Sequence, residues 1–206
     1  MNEKDQNERH SPKLSEESVR KEYIEKTKDT GPRILLRTAM PYIVDKDCAL
    51  DLGAGALNDA RYLIAEGFSS VTAVDKFDHA KEIGNSLPKE HFTFVVSAME
   101  NYDFPENTYD LVSAQFALPF IAPEKIESVL EKIKASLKKD GIFTGHFFGD
   151  RDEWVDSDIM NFHSAVNAKA ALSGLEIISF EETEYDGGLA DGGTKNWHVF
   201  VFIARK

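Results

Sequence analysis

The 206-residue sequence lacks most features of secreted and membrane proteins. Its one cysteine, Cys48, excludes an intramolecular disulfide and a metal site built from several thiolates. No apolar run approaches the roughly 18 residues that a membrane-spanning helix needs. The first residues, "MNEKDQNERHSPKLSEES", are charged and have no apolar segment of the kind found in signal peptides. These absences predict a cytoplasmic protein that has no membrane partner.

Positive charge is also scarce, with 24 Lys and Arg against 36 Asp and Glu and a formal net charge of −12. Because an acidic surface repels phosphate backbones, nucleic acid is not expected as a partner. Apolar residues, in contrast, are plentiful, at 42% of the chain with 14 Phe. One sizeable core, and therefore one main globular domain, is expected at this length. Composition and length do not indicate an oligomeric state.

The hydrophobic pattern divides the chain into three parts. Residues 1–14 have almost no apolar content and are expected to form a disordered tail. Residues 15–46 carry two amphipathic segments that predict N-terminal helices, the second beginning near Pro32. These helices could cover a ligand cleft as a lid or simply pack on the edge of a sheet. From 47 to 206, apolar strands and amphipathic helices alternate.

This alternation predicts a doubly wound α/β fold with a mostly parallel, seven-stranded, Rossmann-like sheet. Strands are predicted at 48–52, 71–75, 92–96, 109–115, 142–148, 175–185 and 197–205, and helices include 77–86, 123–139 and 157–173. The glycine-rich residues 186–196 have no helical pattern. The last two strands are therefore expected to form an antiparallel C-terminal hairpin, since a parallel connection would need a crossover element.

The stretch "ALDLGAGALNDARYLIAEGF", residues 49–68, is an apolar strand that enters a turn with two glycines and leaves as a helix. In a doubly wound sheet a ligand sits at the carboxyl ends of the strands, beside the first strand. The occupant could be a nucleoside diphosphate, a nucleoside without phosphates, or only the helix packed against its strand. A dinucleotide site would favour a third glycine where Asn58 stands, and no Gly-Lys-Ser/Thr follows for a P-loop.

Asp75 ends the second predicted strand, where a carboxylate can accept hydrogen bonds from both hydroxyls of a ribose. Alternatively, Asp75 caps the next helix, because "KFDHAKEI" follows it directly. Together with Gly53 and Gly55, Asp75 favours a ligand that has a ribose and no phosphates to hold.

These stretches resemble the class I S-adenosylmethionine-dependent methyltransferases over about residues 45–205. "LDLGAG" is similar to their glycine loop, "VTAVD" to their second-strand acid, "FPENTYDLVSA" to their approach to strand four and "ASLKKDGIF" to their turn into strand five. "VDKFD" and the ending "GLEIISFEETEYDGG…VFIARK" look similar to tellurite-resistance methyltransferases. The resemblance implies a transferase that passes the methyl group of S-adenosylmethionine to a small-molecule acceptor by in-line displacement, with S-adenosylhomocysteine as product.

The resemblance also implies a set of cofactor-binding residues. They are Asp51, Gly53 and Gly55 at the methionine part, Asp75 at the ribose, Lys76 and Phe77 beside the adenine, Ala98, Met99 and Glu100 at the adenine rim, and Gln115 and Phe116 at the methionine part and the reaction centre.

Two positions differ from the family pattern. Leu57 stands where a third glycine is common, which is expected to narrow the turn, and Ala98 stands where an Asp often accepts from the adenine amino group. Glu100 could substitute as that acceptor. These departures motivate an alternative function, a regulatory module that binds the nucleoside without catalysis.

His146, in "GHFFGDRDEW" on the fifth predicted strand, is the candidate catalytic residue. A hydroxyl or amine acceptor would need such a base, whereas a thiolate or soft anion would need none. Because His146 lies inside an apolar strand, a hydrogen-bonded core histidine is the other interpretation. No two histidines within one element have the spacing of metal ligands, so no metal is expected.

Overall fold

The computed structural model describes residues 16–189 and 192–206, so the predicted tail at 1–14 lies outside the described residues. The helices are α1 (Glu16–Thr27), α2 (Ile34–Ala39), α3 (Asn58–Ala65), α4 (Lys81–Asn85), α5 (Ile126–Ser136) and α6 (Ala165–Ala171). The strands are β1 (Cys48–Leu52), β2 (Ser70–Asp75), β3 (Phe92–Val96), β4 (Tyr109–Ala114), β5 (Leu137–Gly149), β6 (Phe162–His163), β7 (Glu176–Gly188) and β8 (Thr194–Arg205).

The strands form one sheet in the order β3-β2-β1-β4-β5-β8-β7. Strands β1 to β5 run parallel, whereas β8 is antiparallel to both β5 and β7. The predicted α/β class and the antiparallel C-terminal hairpin are thereby confirmed. The strand order reverses between β1 and β4, which opens a crevice at their carboxyl ends.

Two apolar clusters cover the two faces of the sheet. Leu50 and Leu52 belong to one cluster and Ala49 to the other, as expected for a strand whose side chains alternate between faces. The first cluster includes Leu130 of α5, and the second includes Leu63 of α3. Burial on both faces explains why β1 and its neighbours are apolar throughout rather than alternating with polar residues.

The region predicted as one helix over 157–173 is helical only from Ala165. The side chain of Asn161 donates to the backbone carbonyls of Leu118 and Ile121, at 2.7 and 2.8 Å, which ties this segment to the connection after β4. Residues 162–163 then pair with the end of β5 as the short strand β6, which the sequence did not predict. Tertiary contacts therefore overrode the helical pattern of this segment.

Two further boundaries differ from the sequence prediction. Helix α5 ends at Ser136, and the predicted helix end lies in β5, whose first residue Leu137 pairs with Tyr109 of β4. The helix predicted over 77–86 is shorter, beginning at Lys81. In the described part of the chain, no helix combines the length and apolar character that crossing a bilayer requires.

Candidate functional site

The glycine turn follows β1 at the reversal point of the sheet. Gly53 and Gly55 both have positive φ, 69° and 53°, a conformation that favours glycine. A Cβ atom on Gly53 would lie only 2.5 Å from that of Ala117, so the connection after β4 approaches the turn too closely for a side chain. The NH group of Gly53 donates to the carbonyl of Val74 at 2.8 Å, which fastens the turn to β2.

Leu57 adopts the left-handed backbone that a glycine would take at this place, with φ 61°. Its side chain is fully buried in the apolar cluster that includes Leu63. Left-handed backbone costs a non-glycine residue about 1–2 kcal/mol, and burial of a leucine side chain offsets this by about 1.5–3 kcal/mol. Because the side chain points into the core, the predicted narrowing of the turn by Leu57 was wrong.

The carboxylate of Asp75 lies at the tip of β2 and is 4% exposed. One oxygen, Oδ2, accepts from the NH of Gly55 at 2.9 Å and from the guanidinium of Arg20 in α1 at 2.6 Å. The other oxygen, Oδ1, accepts from the NH of Phe77 at 3.1 Å. Asp75 does not cap α4, because the N-cap of that helix is Ala80, so the capping interpretation is wrong.

A cavity of about 40 Å³ lies beside the turn, between it and the N-terminal helices. Its lining residues are Tyr23, Thr27, Thr30, Gly31, Arg33, Asp51, Gly53, Ala54, Gly55, Ala56, Asn58, Asp59 and Gln115. Two buried acceptors on its wall, Oδ2 of Asp51 and Oε1 of Gln115, have no hydrogen-bond partner among the residues that the structure describes. Burial raises the pKa of Asp51 well above its usual range, and the carboxylates of Asp59 and Asp75 raise it further. A cationic donor would satisfy both acceptors, so the site fits the ammonium group of a methionine moiety.

A second, open cavity of about 420 Å³ lies beyond the ends of β2 and β3. It is lined by Lys76, Phe77, Asp78, His79, Lys81 and Val96. The Lys76 ammonium lies 4.8 Å from the ring centroid of Phe77, and the rings of Phe77 and His79 are stacked. The predicted adenine neighbours Lys76 and Phe77 therefore share one cavity wall, where a flat base could stack.

The three residues predicted at the adenine rim are engaged elsewhere. The carbonyl of Ala98 accepts from the NH of Asn101 at 3.0 Å within a short 3₁₀ turn. Met99 packs against the core, and the Glu100 carboxylate lies 3.5 Å from the ammonium of Lys125. None of the three lines the open cavity of the described structure, so their contact with adenine stays a prediction.

His146 and Phe116 lie together at the carboxyl ends of β4 and β5. Their rings stack with centroids 4.0 Å apart, and the NH of Phe116 donates to Nδ1 of His146 at 3.3 Å. Burial lowers the pKa of His146 to about 3, and the positive charge of Arg33 lowers it too. His146 is consequently neutral at pH 7, with Nδ1 already occupied.

An aromatic box around a buried ion pair adjoins this position, and the sequence prediction missed it. Lys195 and Asp152 form the pair and are essentially inaccessible to solvent. The Lys195 ammonium lies 4.2 Å from the ring centroid of Trp197 and 4.3 Å from that of Trp154. Lys195 is a polar residue in a glycine-rich stretch, so no local signal marks it as buried. Arg20 was missed for a similar reason, since its helix is mostly polar.

Residues 49–141 match a protein-family model described as a methyltransferase domain. This match covers just under half of the chain, and residues 49–141 are therefore similar to a methyltransferase domain. The predicted resemblance to methyltransferases is confirmed. Among the described residues, no group of three or more His, Cys, Asp or Glu could hold a metal ion, and the predicted lack of a metal stays a prediction.

Relatives of the methyltransferase domain include the rat protein Arginine-hydroxylase NDUFAF5, mitochondrial, which is 34% identical over 124 residues. That match covers 59% of this chain and 34% of the rat protein, so the chain spans about a third of this relative's length. The structure of TehB from Haemophilus influenzae is similar in fold, with a TM-score of 0.69 at 17% identity over 84% of this chain and 61% of that one.

A third similar structure is the 1,6-didemethyltoxoflavin-N1-methyltransferase of Burkholderia thailandensis with bound 1,6-didemethyltoxoflavin and S-adenosylhomocysteine. Its TM-score is 0.65 at 20% identity, and the match covers 91% of this chain and 87% of that one. At this level of identity, both solved structures support the fold alone.

Proposed function

We propose that this protein transfers the methyl group of S-adenosylmethionine to a small-molecule acceptor. The observation that carries the proposal is the pair of unpartnered acceptors, Asp51 Oδ2 and Gln115 Oε1, beside a glycine turn at the reversal point of the sheet. Buried acceptors without partners are rare and mark a place where a ligand supplies the donors. The methionine ammonium would donate to these oxygens, and the guanidinium of Arg33, on the same cavity wall, would pair with the methionine carboxylate.

The remaining parts of the cofactor would follow the crevice. The ribose hydroxyls would donate to Asp75, and the adenine would occupy the open cavity against Phe77. Asp75 joins the two cavities, because it accepts from Gly55 on the wall of one and from Phe77 on the wall of the other. The order methionine, ribose and adenine would therefore run from β1 and β4 toward β2 and β3.

S-adenosylmethionine supplies a methyl group on a positively charged sulfur when it is bound. The residues of the chain would hold the acceptor in line with that methyl group and exclude water, and such positioning lowers a barrier by up to ~7–11 kcal/mol. With a pKa of about 3 and Nδ1 occupied, His146 is a poor proton acceptor in this arrangement. An acceptor that is already anionic at its nucleophilic atom, such as a thiolate, suits the site better than a hydroxyl.

The aromatic rings around Phe116 favour the interpretation that the acceptor is small and flat. Phe116 lies 5.9 Å from Trp197 and 6.4 Å from Phe148, measured between ring centroids, and Phe120 is 55% exposed nearby. The Burkholderia methyltransferase of similar fold has 1,6-didemethyltoxoflavin bound together with S-adenosylhomocysteine. Rings of this kind would stack on a planar acceptor next to the methionine part of the site.

The test is calorimetry with S-adenosylmethionine and S-adenosylhomocysteine, followed by measurement of methyl release. Acceptors would include thiols, phenols and amines, with arginine-containing peptides as a protein-like class. We expect both nucleosides to bind. We also expect methyl release with a small acceptor, most readily with a thiol. Release only with peptides would refute the small-molecule class, and lack of nucleoside binding would refute the whole proposal. Tight binding without any turnover would favour the alternative, a regulatory module.

A further inference from the structure

Arg20 of α1 fills the position that the ribose hydroxyls would need. Its guanidinium nitrogen lies 2.6 Å from Oδ2 of Asp75, and the two side chains are 26% and 4% exposed. The backbone NH groups of Gly55 and Phe77 supply the other two bonds to this carboxylate. Both oxygens of Asp75 are thus engaged by protein donors, and the strongest of them, the charged one, belongs to the N-terminal helix.

The helix also closes the space beside the glycine turn. A Cβ atom built on Gly55 would lie 3.5 Å from the Tyr23 ring and 3.6 Å from the Arg20 guanidinium, so both side chains rest on the turn. The cavity left behind them is about 40 Å³. That is room for only about one to three water molecules, whereas sites for small molecules usually measure about 300–1,000 Å³. A nucleoside that reached both cavities would have to pass through the volume that Arg20 and Tyr23 fill.

The two ends of α1 are held differently. Its C-terminal end is fixed to α3, because the side chain of Asn58 donates to the carbonyl of Thr27 at 2.6 Å and Arg61 bonds the carbonyl of Lys28. Its preceding turns reach the domain through Arg20 and Tyr23, and the side chain of Ile24 is buried in the core. Breaking the ion pair with Asp75 would therefore remove the charged link between α1 and the tip of β2 while the C-terminal end of α1 stays attached.

We propose that α1 is an intramolecular competitor of the cofactor, with Arg20 in the place of the ribose. Nucleoside binding replaces the Arg20–Asp75 ion pair by ribose–Asp75 hydrogen bonds and moves the N-terminal half of α1 away from the glycine turn. This inference rests on the proposed function, because it concerns the same cofactor site. The observed affinity is then the intrinsic affinity multiplied by the fraction of molecules in which α1 is released.

The first test compares S-adenosylhomocysteine binding by the wild-type protein, Arg20→Ala and the matched control Lys21→Ala. Lys21 is an exposed cation on the same helix, so its removal changes the charge of α1 equally while leaving the Asp75 pair intact. We expect Arg20→Ala to bind about 3- to 10-fold more tightly, as for a competent fraction of about 10–30% in the wild type. Lys21→Ala should bind like the wild type. Unchanged or weaker binding by Arg20→Ala overturns the proposal, because Arg20 would then be neutral or a cofactor ligand.

A second test needs no substitution and so does not depend on the folding of a variant. Trypsin cleavage after Lys21, in the half of α1 that moves, is followed in the wild-type full chain with and without saturating S-adenosylhomocysteine, and cleavage after Lys26, beside the fixed end, is the internal control. Release of α1 predicts faster cleavage in the complex, whereas slower cleavage means that α1 closes over the ligand and overturns the competitor. If neither the wild type nor Arg20→Ala binds the nucleoside, the proposed function itself fails; if both bind with equal affinity, only the competitor fails.

Discussion

Asp75 is the central residue of the proposed cofactor site, because three parts of the molecule meet at its carboxylate. It joins the glycine turn through Gly55, the start of the next loop through Phe77 and the N-terminal helix through Arg20. A single side chain can join three parts of the chain in this way because a carboxylate offers about four acceptor positions.

Replacement of Asp75 by Ala should weaken S-adenosylhomocysteine binding by about 1.5–3 kcal/mol, because charge-assisted bonds to the ribose are lost. Calorimetry would measure the change, with Asp103→Ala, an exposed acidic position, as the control. In an Arg20→Ala background the loss should be larger. The parent protein there binds the nucleoside more tightly, because Arg20 no longer competes for Asp75. An affinity that does not change would mean that Asp75 is not a ribose ligand.

His146 makes the stability of the fold depend on pH, because burial lowers its pKa. Its folded pKa of about 3 lies below the unfolded value of 6.5, so the unfolded chain takes up a proton first as the pH falls. The stabilisation from neutral His146 is complete above pH 6.5 and is lost toward acid, by about 2 kcal/mol between pH 7 and pH 5. A glutamine could still accept from the NH of Phe116 without binding a proton.

His146→Gln should therefore show a pH 7 to pH 5 loss of unfolding free energy that is about 2 kcal/mol smaller than in the wild type. Urea unfolding at both pH values would measure it, and His91→Gln, at an exposed histidine, is the control. If the unfolding free energy fell equally from pH 7 to pH 5 in wild type and His146→Gln, a buried neutral histidine would be contradicted.

At the scale of elements, a buried ion pair connects the β7–β8 hairpin to the segment after β5. This pair, Lys195 with Asp152, is surrounded by aromatic rings. Asp152 accepts from Lys195 and from the NH groups of Trp154 and His198, the latter two at 3.0 and 3.1 Å. Two charges removed from water are tolerated here because each is paired and the rings of Trp154 and Trp197 face the ammonium.

Lys195→Met should destabilise the protein by about 3–5 kcal/mol, because Asp152 would be left as a buried, uncompensated charge. Removing both charges, in Asp152→Asn/Lys195→Met, should recover much of the loss. Arg151→Ala is the control: this neighbour pairs with Glu182 and Glu184 at the surface, where such pairs contribute about 0–1 kcal/mol. Chemical unfolding would measure the free energy of unfolding of the three variants. A value for Lys195→Met within about 1 kcal/mol of wild type would refute the buried pair.

At the scale of the whole molecule, ligand and fold are linked. A nucleoside that binds only the folded state at about 100 times its Kd adds about 2.7 kcal/mol of stability. For a chain of this size that corresponds to a rise in Tm of roughly 5–10 °C. S-adenosylhomocysteine should produce this rise in a thermal melt, and NADH at the same concentration should not. A rise with NADH alone would revive the dinucleotide interpretation, which Asn58 disfavours.

The local pattern was sufficient for the parallel strands, the glycine turn and the acid at the tip of β2. Each depends on residues close in sequence: apolar runs such as 48–52, a backbone that needs glycine at Gly53, and a carboxylate directly after a strand. The parallel sheet follows from these, because a strand that is apolar on both faces requires cover on both sides. The family resemblance came from the same local stretches.

Only the tertiary structure decided what those residues touch. Arg20 reaches Asp75 across 55 positions of the chain, and Lys195 reaches Asp152 across 43, so neither pair leaves a periodic trace in the sequence. The first part of the helix expected over 157–173 was wrong for the same reason, since Asn161 bonds to a connection some 40 residues away and the helix begins only at Ala165. Sequence determines backbone preferences over a few residues, whereas burial and charge pairing depend on which distant elements the fold brings together.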